Sequence, residues 1–338
     1  MSIERIVAGA CSDPFPVYPG LADLLAAAHL EAPFERDPMV AHVLGTCAGY
    51  AYGDTETVST MMTRLGLDAH TCVRITQVVD TMFIYSTAYV FQSRCGRVVI
   101  LCYRGTEPAN LGNWLGDMDL GPDSSSMPIA GGAAELKVHG GFHRNVRATW
   151  WPVMQELSAA LAGRSLADHG VSVPHPLEAL HVCGHSLGAA MALLFSLKLS
   201  GEVGCSSVIE RLRAVYTFGQ PMALLAPLPP GIERLDQKVF RHLVKQDPIP
   251  ALPAGTWGPF VHVGQEFRHL DGEWQRSASP VEQIPNMRKI PRIMFSFFDK
   301  QGRREGDQYA FSEHGPQHYL SALRPPEQVS EFGDRAKS

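Results

Sequence analysis

The stretch Gly184-His185-Ser186-Leu187-Gly188 stands between a strand-like run at 177–183 and an apolar helix-like run at 189–199. A serine hydroxyl is a weak nucleophile, so an enzyme that uses one must expose it on a tight bend where a base can reach it. Glycines on both sides permit such a bend, because a side chain at either position would collide with the neighbouring strand or helix. A strand, this turn and a helix in that order predict a nucleophile elbow with Ser186 as the nucleophile.

A serine nucleophile needs an imidazole that accepts its proton and a carboxylate that orients the imidazole. In α/β-hydrolases the chain order is serine, carboxylate, histidine. Asp247 follows the strand-like run at 239–244 and is held in an extended turn by Pro248-Ile249-Pro250, so it is the candidate carboxylate. His314 stands just before a short helix-like run and is the candidate base, with His318 inside that run as the alternative.

The negative charge that develops on a substrate oxygen needs at least two hydrogen-bond donors. One is the N–H of Leu187, which follows the nucleophile, and the other is expected from the loop after an earlier central strand. The apolar run at 98–103 predicts that strand, so Thr106 is the candidate donor, with its hydroxyl as a third donor. His185, inside the elbow, is expected to point away from the site and to pack.

The segment after this oxyanion corner, 107–120, places Leu111, Trp114, Leu115 and Met118 at helical spacing. Such a stripe fits a short surface helix packed on the core. It fits equally a mobile amphipathic lid whose apolar face, Leu111, Trp114 and Leu115, contacts the substrate or a lipid interface.

Composition and charge narrow the class of protein. With 338 residues, 45% hydrophobic and 19% charged, the chain is expected to fold around a sizeable core. The net charge of -5 includes no basic block, which argues against a nucleic-acid partner. The longest nearly apolar run, 187–197, is too short to span a bilayer, so no transmembrane segment is expected.

The seven cysteines are scattered, odd in number and free of any C-x-x-C pair. This pattern favours reduced thiols over a disulfide framework, and with no convincing signal peptide it predicts a cytoplasmic location. Secretion is the alternative if a leader is missing from the sequence.

The chain is predicted to divide into three parts. Residues 1–37 are expected to form an N-terminal extension packed on the main body, 38–325 an α/β domain, and 326–338 a polar tail. The α/β domain is expected to open with two amphipathic helices at 39–51 and 56–65, followed by strands at 72–79, 82–92 and 98–103.

Several blocks of this sequence, in this order, resemble the class 3 lipases, typified by the fungal triacylglycerol lipases. The blocks are Tyr103-Arg104-Gly105-Thr106, Asn113-Trp114, Val138-His139-Gly140-Gly141-Phe142, Gly184-His185-Ser186-Leu187-Gly188, Thr217-Phe218-Gly219-Gln220-Pro221, Asp247-Pro248-Ile249-Pro250, and His314 with Tyr319. The resemblance implies an α/β-hydrolase fold with a central, mostly parallel sheet flanked by helices. It also implies a Ser186/Asp247/His314 triad, an oxyanion hole at Thr106 and Leu187, and a lid near 107–118. Glu313 departs from the family's usual aspartate, and Ala189 replaces a frequent glycine.

The function expected from these residues is a serine-dependent carboxylic-ester hydrolase that works through an acyl-enzyme and needs no metal or organic cofactor. The resemblance favours a lipid ester as substrate. Short-chain or aryl esters, such as feruloyl esters, are the alternative on the same scaffold. A more remote alternative is a lipase-like binding protein without turnover.

Overall fold

The computed structural model describes residues 1–8, 17–67, 69–105, 124–129, 135–285, 311–326 and 328–329. The helices in these ranges are α1 Leu21–Ala27, α2 Pro38–Tyr50, α3 Thr55–Arg64, α4 Gly140–Leu161, α5 Leu187–Gly201, α6 Ser206–Ile209, α7 Glu233–Asp236 and α8 Pro316–Leu323. The strands are β1 Ser2–Val7, β2 Ala69–Val79, β3 Ile84–Ser93, β4 Val98–Tyr103, β5 Ser124–Pro128, β6 Glu135–His139, β7 Ala179–His185, β8 Leu212–Phe218, β9 Leu224–Leu225, β10 Val239–Val244, β11 Phe260–Val261, β12 Gln265–Leu270 and β13 Glu273–Arg276.

A nine-stranded sheet forms the centre of the molecule, in the order β1-β2-β3-β4-β7-β8-β10-β12-β13. The five strands from β4 to β12 run parallel, and the strands outside them pair antiparallel. Because parallel strands end at one edge, the loops after β4, β7, β8 and β10 all open at the same side. The predicted α/β-hydrolase architecture is confirmed in this parallel centre.

Helices cover both faces of the sheet, and the side chains of β4 show why. Val99, Leu101 and Tyr103 belong to the apolar cluster that contains α4 and α5, whereas Ile100 and Cys102 belong to the cluster that contains α2, α3 and α8. Side chains alternate between the faces of a strand, so an uninterrupted apolar run supplies both layers. Helix α5 is buried nearly all round, which explains why its sequence has no polar face.

Helix α8, near the end of the described chain, packs against helix α2, near its beginning. A Cβ on Gly45 of α2 would overlap Leu323 of α8, and a Cβ on Gly49 would lie 2.9 Å from Cδ1 of Leu320. Glycines therefore let the two helices approach closely. This contact brings residues near position 320 beside residues near position 45, and it fixes the turn that carries His314.

The sequence predicts several boundaries correctly and misses some elements. Strands 98–103 and 239–244 are confirmed, and the two amphipathic helices begin one residue earlier than predicted. The strand predicted from position 82 is wrong at its start, because Asp80–Met82 forms a 3-10 turn and Phe83 has a φ of 51°. The strand Ser2–Val7, which pairs along its length with β2, was not predicted.

A small antiparallel sheet, in the order β11-β9-β6-β5, lies outside the large one and was not predicted either. Two of its strands have only two residues, too short to show an alternating pattern. No helix in the described ranges has the length and apolar character needed to cross a membrane.

Two buried histidines make the stability of the fold depend on pH. Burial lowers the pKa of His42 to about 4 and that of His181 to about 3, from an ordinary 6.5. Below pH 6.5 the unfolded chain therefore binds protons at these rings that the folded chain does not bind. We expect the contribution of each ring to the free energy of unfolding to be complete above pH 7. Each contribution should fall by up to about 1.4 kcal/mol per pH unit below 6.5.

Urea titrations between pH 7.5 and pH 4.5 measure this slope. The variant to compare is His181→Gln, which removes the titrating ring. Its amide still offers a donor to the backbone carbonyl of Leu25, which lies 3.0 Å from Nε2 of His181 in the native protein. The variant should show a flatter dependence on pH than the unmodified protein. Equal slopes would mean that His181 contributes nothing to acid sensitivity.

Candidate active site

The turn between β7 and α5 has the strained geometry expected of a nucleophile elbow. Ser186 has a φ of 59° and a ψ of -130°, and its N–H donates to the carbonyl of Phe218 over 2.9 Å. A Cβ on Gly184 would overlap the backbone of Gly188, and a Cβ on Gly188 would overlap the backbone of Tyr103. The two glycines are therefore required by close backbone approach, as the sequence predicts.

Three predicted side chains meet at this turn. The Nε2 atom of His314 lies 2.7 Å from the hydroxyl oxygen of Ser186, and its Nδ1 lies 2.7 Å from Oδ2 of Asp247. All three residues are buried. Because a carboxylate only accepts, Nδ1 carries the ring proton and Nε2 is free to accept from the serine hydroxyl. The alternative base, His318, is partly exposed and faces Glu313 at 3.6 Å instead.

Asp247 is held ionised by its partners. Burial raises the pKa of its carboxyl, but the neighbouring His314 and three hydrogen bonds together hold the pKa below its ordinary value. Besides the bond from His314, the hydroxyl of Tyr319 donates to Oδ2 over 2.6 Å and the N–H of Ile249 donates to Oδ1 over 2.9 Å. The burial and the carboxylate raise the pKa of Tyr319, so it remains a donor at neutral pH.

Gly219, just after β8, leaves room for the hydrogen-bonded side chains of Asp247 and His314. Its φ is 58°, and a Cβ there would lie 2.8 Å from Oδ2 of Asp247 and 2.9 Å from Cε1 of His314. Any larger residue would push the carboxylate and the imidazole apart. The glycine of Thr217-Phe218-Gly219 is thus part of the site, although it offers no reactive group.

The expectation that His185 points away from the site is wrong. Its Nε2 lies 2.8 Å from the backbone carbonyl of His314, and the two rings stack with centroids 4.7 Å apart. His185 follows Cys183 by two positions in a strand, so it points to the same face of the sheet. That face is covered by α2 and α8, the helix just after His314.

The candidate oxyanion donors are only partly described. Leu187 is the first residue of α5, so its N–H has no acceptor within the helix and lies at the positive end of the helix dipole. Gly105 lies against the elbow, and a Cβ on it would be 3.1 Å from Cβ of Ser186. Thr106 lies outside the described residues, as do Leu111, Trp114 and Leu115 of the predicted lid.

Other histidines have structural partners. His143 lies 2.7 Å from the hydroxyl of Ser125, and His139 caps α4 by accepting from the N–H of Phe142. Within the described ranges no three or more His, Cys, Asp or Glu side chains are grouped so that they could hold a metal ion.

Comparison with known proteins identifies relatives with this architecture. The family model described as lipase (class 3) matches residues 100–257. The lipase of Rhizomucor miehei is 28% identical over 201 residues, which cover 59% of this chain and 49% of that lipase. Among solved structures, lipase II from Rhizopus niveus superposes with a TM-score of 0.53 at 22% identity, covering 73% of this chain and 86% of the other. That structural likeness supports the fold.

A third relative corrects the predicted cytoplasmic location. The secreted mono- and diacylglycerol lipase 2 of Gibberella zeae is 30% identical over 103 residues, 28% of this chain and 24% of that protein. A cytoplasmic location is therefore contradicted. The cysteines misled the prediction because five of the six in the described ranges are unpaired and buried in the core, where they act as small apolar residues in any compartment.

The chain spans about half the length of the Rhizomucor relative it matches, and less of the Gibberella one. The family match nevertheless contains the elbow, the turn with Gly219 and Asp247, and the strands that carry them. Over this stretch, slightly less than half of its length, the chain is similar to the class 3 lipases, and its fold is that of the fungal lipases.

Proposed function

We propose that this protein is a serine-dependent carboxylic-ester hydrolase, and specifically a lipase that acts on acylglycerols or other lipid esters. The observation that carries the proposal is the continuous line of two 2.7 Å hydrogen bonds from Ser186 through His314 to Asp247. The match of residues 100–257 to the class 3 lipase family model supports it independently.

In the proposed reaction the hydroxyl oxygen of Ser186 attacks the acyl carbon while its proton passes to Nε2 of His314. Asp247 stabilises the resulting imidazolium and holds its Nδ1–H. The imidazolium then gives its proton to the departing alcohol, leaving an acyl-serine. A water molecule, deprotonated by the same imidazole, attacks the acyl carbon of this ester. The bond to the Ser186 oxygen then breaks, that oxygen takes the proton back from the imidazolium, and the acid is released.

The tetrahedral intermediates carry a negative oxygen that needs donors already in place. We assign one to the N–H of Leu187, because of its position at the start of α5. Thr106 remains the proposed second donor. It follows Gly105, which packs against the elbow beside Ser186.

The substrate class rests on the relatives. The Gibberella relative is named a mono- and diacylglycerol lipase, and we carry acylglycerols to this chain on that basis. Short-chain or aryl esters remain the second proposal, since the same triad hydrolyses any ester that fits the acyl pocket.

The test is hydrolysis of p-nitrophenyl esters from acetate to palmitate and of emulsified acylglycerols, each with and without prior treatment by a fluorophosphonate. A lipase should cleave long chains and emulsions, lose that activity on treatment, and carry the phosphonate on Ser186 by peptide mass spectrometry. Activity confined to short, dissolved esters would establish the esterase. If the folded protein shows neither labelling nor hydrolysis, the hydrolase proposal fails and the alternative, a lipase-like binding protein without turnover, is supported.

We also propose that this protein contacts the surface of its lipid substrate transiently. Leu111, Trp114 and Leu115 remain candidates from the sequence. Among the described residues, the hairpin tip that joins β2 to β3 exposes four apolar side chains around Asp80 and Thr81. These are Val78, Met82, Phe83 and Tyr85, each 49–54% exposed.

The register of the sheet supports this role. Ala88 of β3 pairs with Tyr103 of β4, which pairs with Gly184 of β7. The residues of β3 before Ala88 therefore extend past the end of β4, at the edge where the elbow lies. Asn145 of α4 holds the tip in place, since it accepts from the N–H of Tyr85 over 2.7 Å and donates to the carbonyl of Phe83 over 3.3 Å.

Phe83→Asp is expected to lower activity on emulsified acylglycerol about tenfold while leaving dissolved p-nitrophenyl butyrate unaffected, because a charge at the tip opposes burial in lipid. Phe83→Asn is the matched variant. Asparagine has the same size as aspartate and tolerates the φ of 51° at this position, but it adds no charge. It should lie between the unmodified and the aspartate proteins.

A second control places the charge on the side of the molecule away from the elbow. Val203 is 98% exposed and follows α5, which begins at the elbow and runs about 22 Å away from it. Val203→Asp should keep full activity on both substrates. Equal losses on dissolved and emulsified substrates in Phe83→Asp would count against contact between the tip and lipid.

A further inference from the structure

The hydroxyl of Tyr52, two residues after α2, lies between the proposed oxyanion corner and the elbow. It is 3.0 Å from Nδ1 of His185, and it packs against Gly105. A Cβ on Gly105 would overlap this hydroxyl and the carbonyl of His185. Tyr52 thus contacts both the end of β4 and the end of β7.

The hydrogen bonds at His185 have only one consistent direction. Its Nε2 faces the carbonyl of His314, which only accepts, so Nε2 carries a proton. Burial, followed by the effect of neighbouring His314, lowers the pKa of His185 to about 3, so the ring is neutral above pH 4 and its Nδ1 is bare. Nδ1 must then accept from the hydroxyl of Tyr52, whose oxygen lies against Gly105.

Two hydrogen bonds therefore run from Tyr52 through His185 to the backbone of His314, and Tyr52 packs against Gly105 at the other end of this line. The line bypasses Ser186 and Asp247 entirely. Asp247 fixes the ring of His314 at Nδ1, whereas His185 fixes the main chain of the same residue and stacks against its ring at 4.7 Å. Because His185 stays neutral, it can stack on an imidazolium without adding a second positive charge.

We propose that Tyr52 and His185 are positioning residues that hold the base, His314, in register with the oxyanion corner at Gly105. Ester hydrolysis needs the base and the oxyanion donors in fixed relation, and a displacement of 1 Å costs about a hundredfold in rate. This inference rests on the proposed function, since it assigns the base and the corner their roles.

The experiment compares His185→Phe, Tyr52→Phe and the double variant, with p-nitrophenyl butyrate as the dissolved substrate. His185→Phe should lower kcat about a hundredfold and Tyr52→Phe about tenfold, with KM changed less than about twofold. The double variant should be no slower than His185→Phe alone, because both changes break one line of bonds. Effects that multiply would overturn the shared network, as would an unchanged kcat in folded His185→Phe.

Two further variants separate positioning from simple loss of structure. His185→Gln offers an amide N–H to the carbonyl of His314, so its kcat should be about tenfold higher than that of His185→Phe. His181→Phe changes another buried ring of β7, one that bonds the carbonyl of Leu25, and should alter Tm while keeping kcat. A loss of kcat in His181→Phe equal to that in His185→Phe, or no recovery with glutamine, would mean that His185 only supports the fold.

A spectroscopic readout works without turnover. The ring proton between His314 and Asp247 gives a downfield NMR signal, which should broaden and move upfield in His185→Phe but not in His181→Phe. If the unmodified protein hydrolyses no ester, the proposed function fails, and this signal still decides whether His185 positions His314. An unchanged signal in His185→Phe would overturn the proposal.

Discussion

Ser186→Ala is expected to abolish ester hydrolysis, with kcat lowered about a millionfold and KM nearly unchanged. The hydroxyl oxygen that His314 activates at 2.7 Å is removed, and within the proposed mechanism no other group takes its place. The alanine keeps Cβ and therefore the packing of the elbow, so the fold should persist. Initial rates on p-nitrophenyl butyrate with matched thermal unfolding curves measure both effects.

Ser196 provides the control for Ser186→Ala. It is a buried serine of α5, the helix that begins just after Ser186, and its hydroxyl donates to the carbonyl of Ala192 over 2.9 Å. Ser196→Ala should retain full kcat. Residual activity above about 1% in Ser186→Ala would require a different nucleophile and would remove the basis of the proposed mechanism.

Asp247→Asn is expected to lower kcat about ten-thousandfold with little change in shape. An amide at this position can donate to Nδ1 of His314, which drives the ring proton to Nε2. The ring then cannot accept from Ser186. Ile249 still donates to the amide oxygen, and the hydroxyl of Tyr319 can rotate to accept from the second N–H of the amide, which takes the place of Oδ2. The loss therefore reports the tautomer of His314 and not a collapsed site.

Asp271→Asn is the matched control for the carboxylate. Asp271 lies exposed in the turn between β12 and β13 with a φ of 51°, which asparagine tolerates equally well. It should retain kcat and Tm. A kcat/KM profile from pH 5 to 9 completes the measurement, and a loss in Asp247→Asn below tenfold would contradict the orienting role.

The central sheet and the meeting of Ser186, Asp247 and His314 could be predicted from the sequence because both depend on local signals. Glycines at 184 and 188 mark a turn that only small residues permit, and apolar runs at 98–103 and 239–244 mark strands buried on two faces. Each candidate stood just after a predicted strand or before a predicted helix. Topology then brought those ends to one edge, as parallel strands require.

The positioning residues were hidden for a physical reason. Tyr52 has no motif around it, and its role depends on contacts with residues more than 50 positions away. His185 was misplaced because its direction follows from the strand, whose alternation continues into the elbow. A histidine two positions after a core-facing cysteine should have been assigned to the face that α2 and α8 cover.

The packing of α8 on α2 has a consequence for the period when the chain is being synthesised on the ribosome. Ser186 precedes His314 by 128 residues, and α2 finds its partner only when the segment near 320 has been made. At 5 to 20 residues per second, a ribosome needs about 6 to 26 s to pass from the serine to the histidine. During that interval the serine lacks its base. In the proposed mechanism each new copy is therefore inactive at least until His314 has been made, whatever esters surround the ribosome.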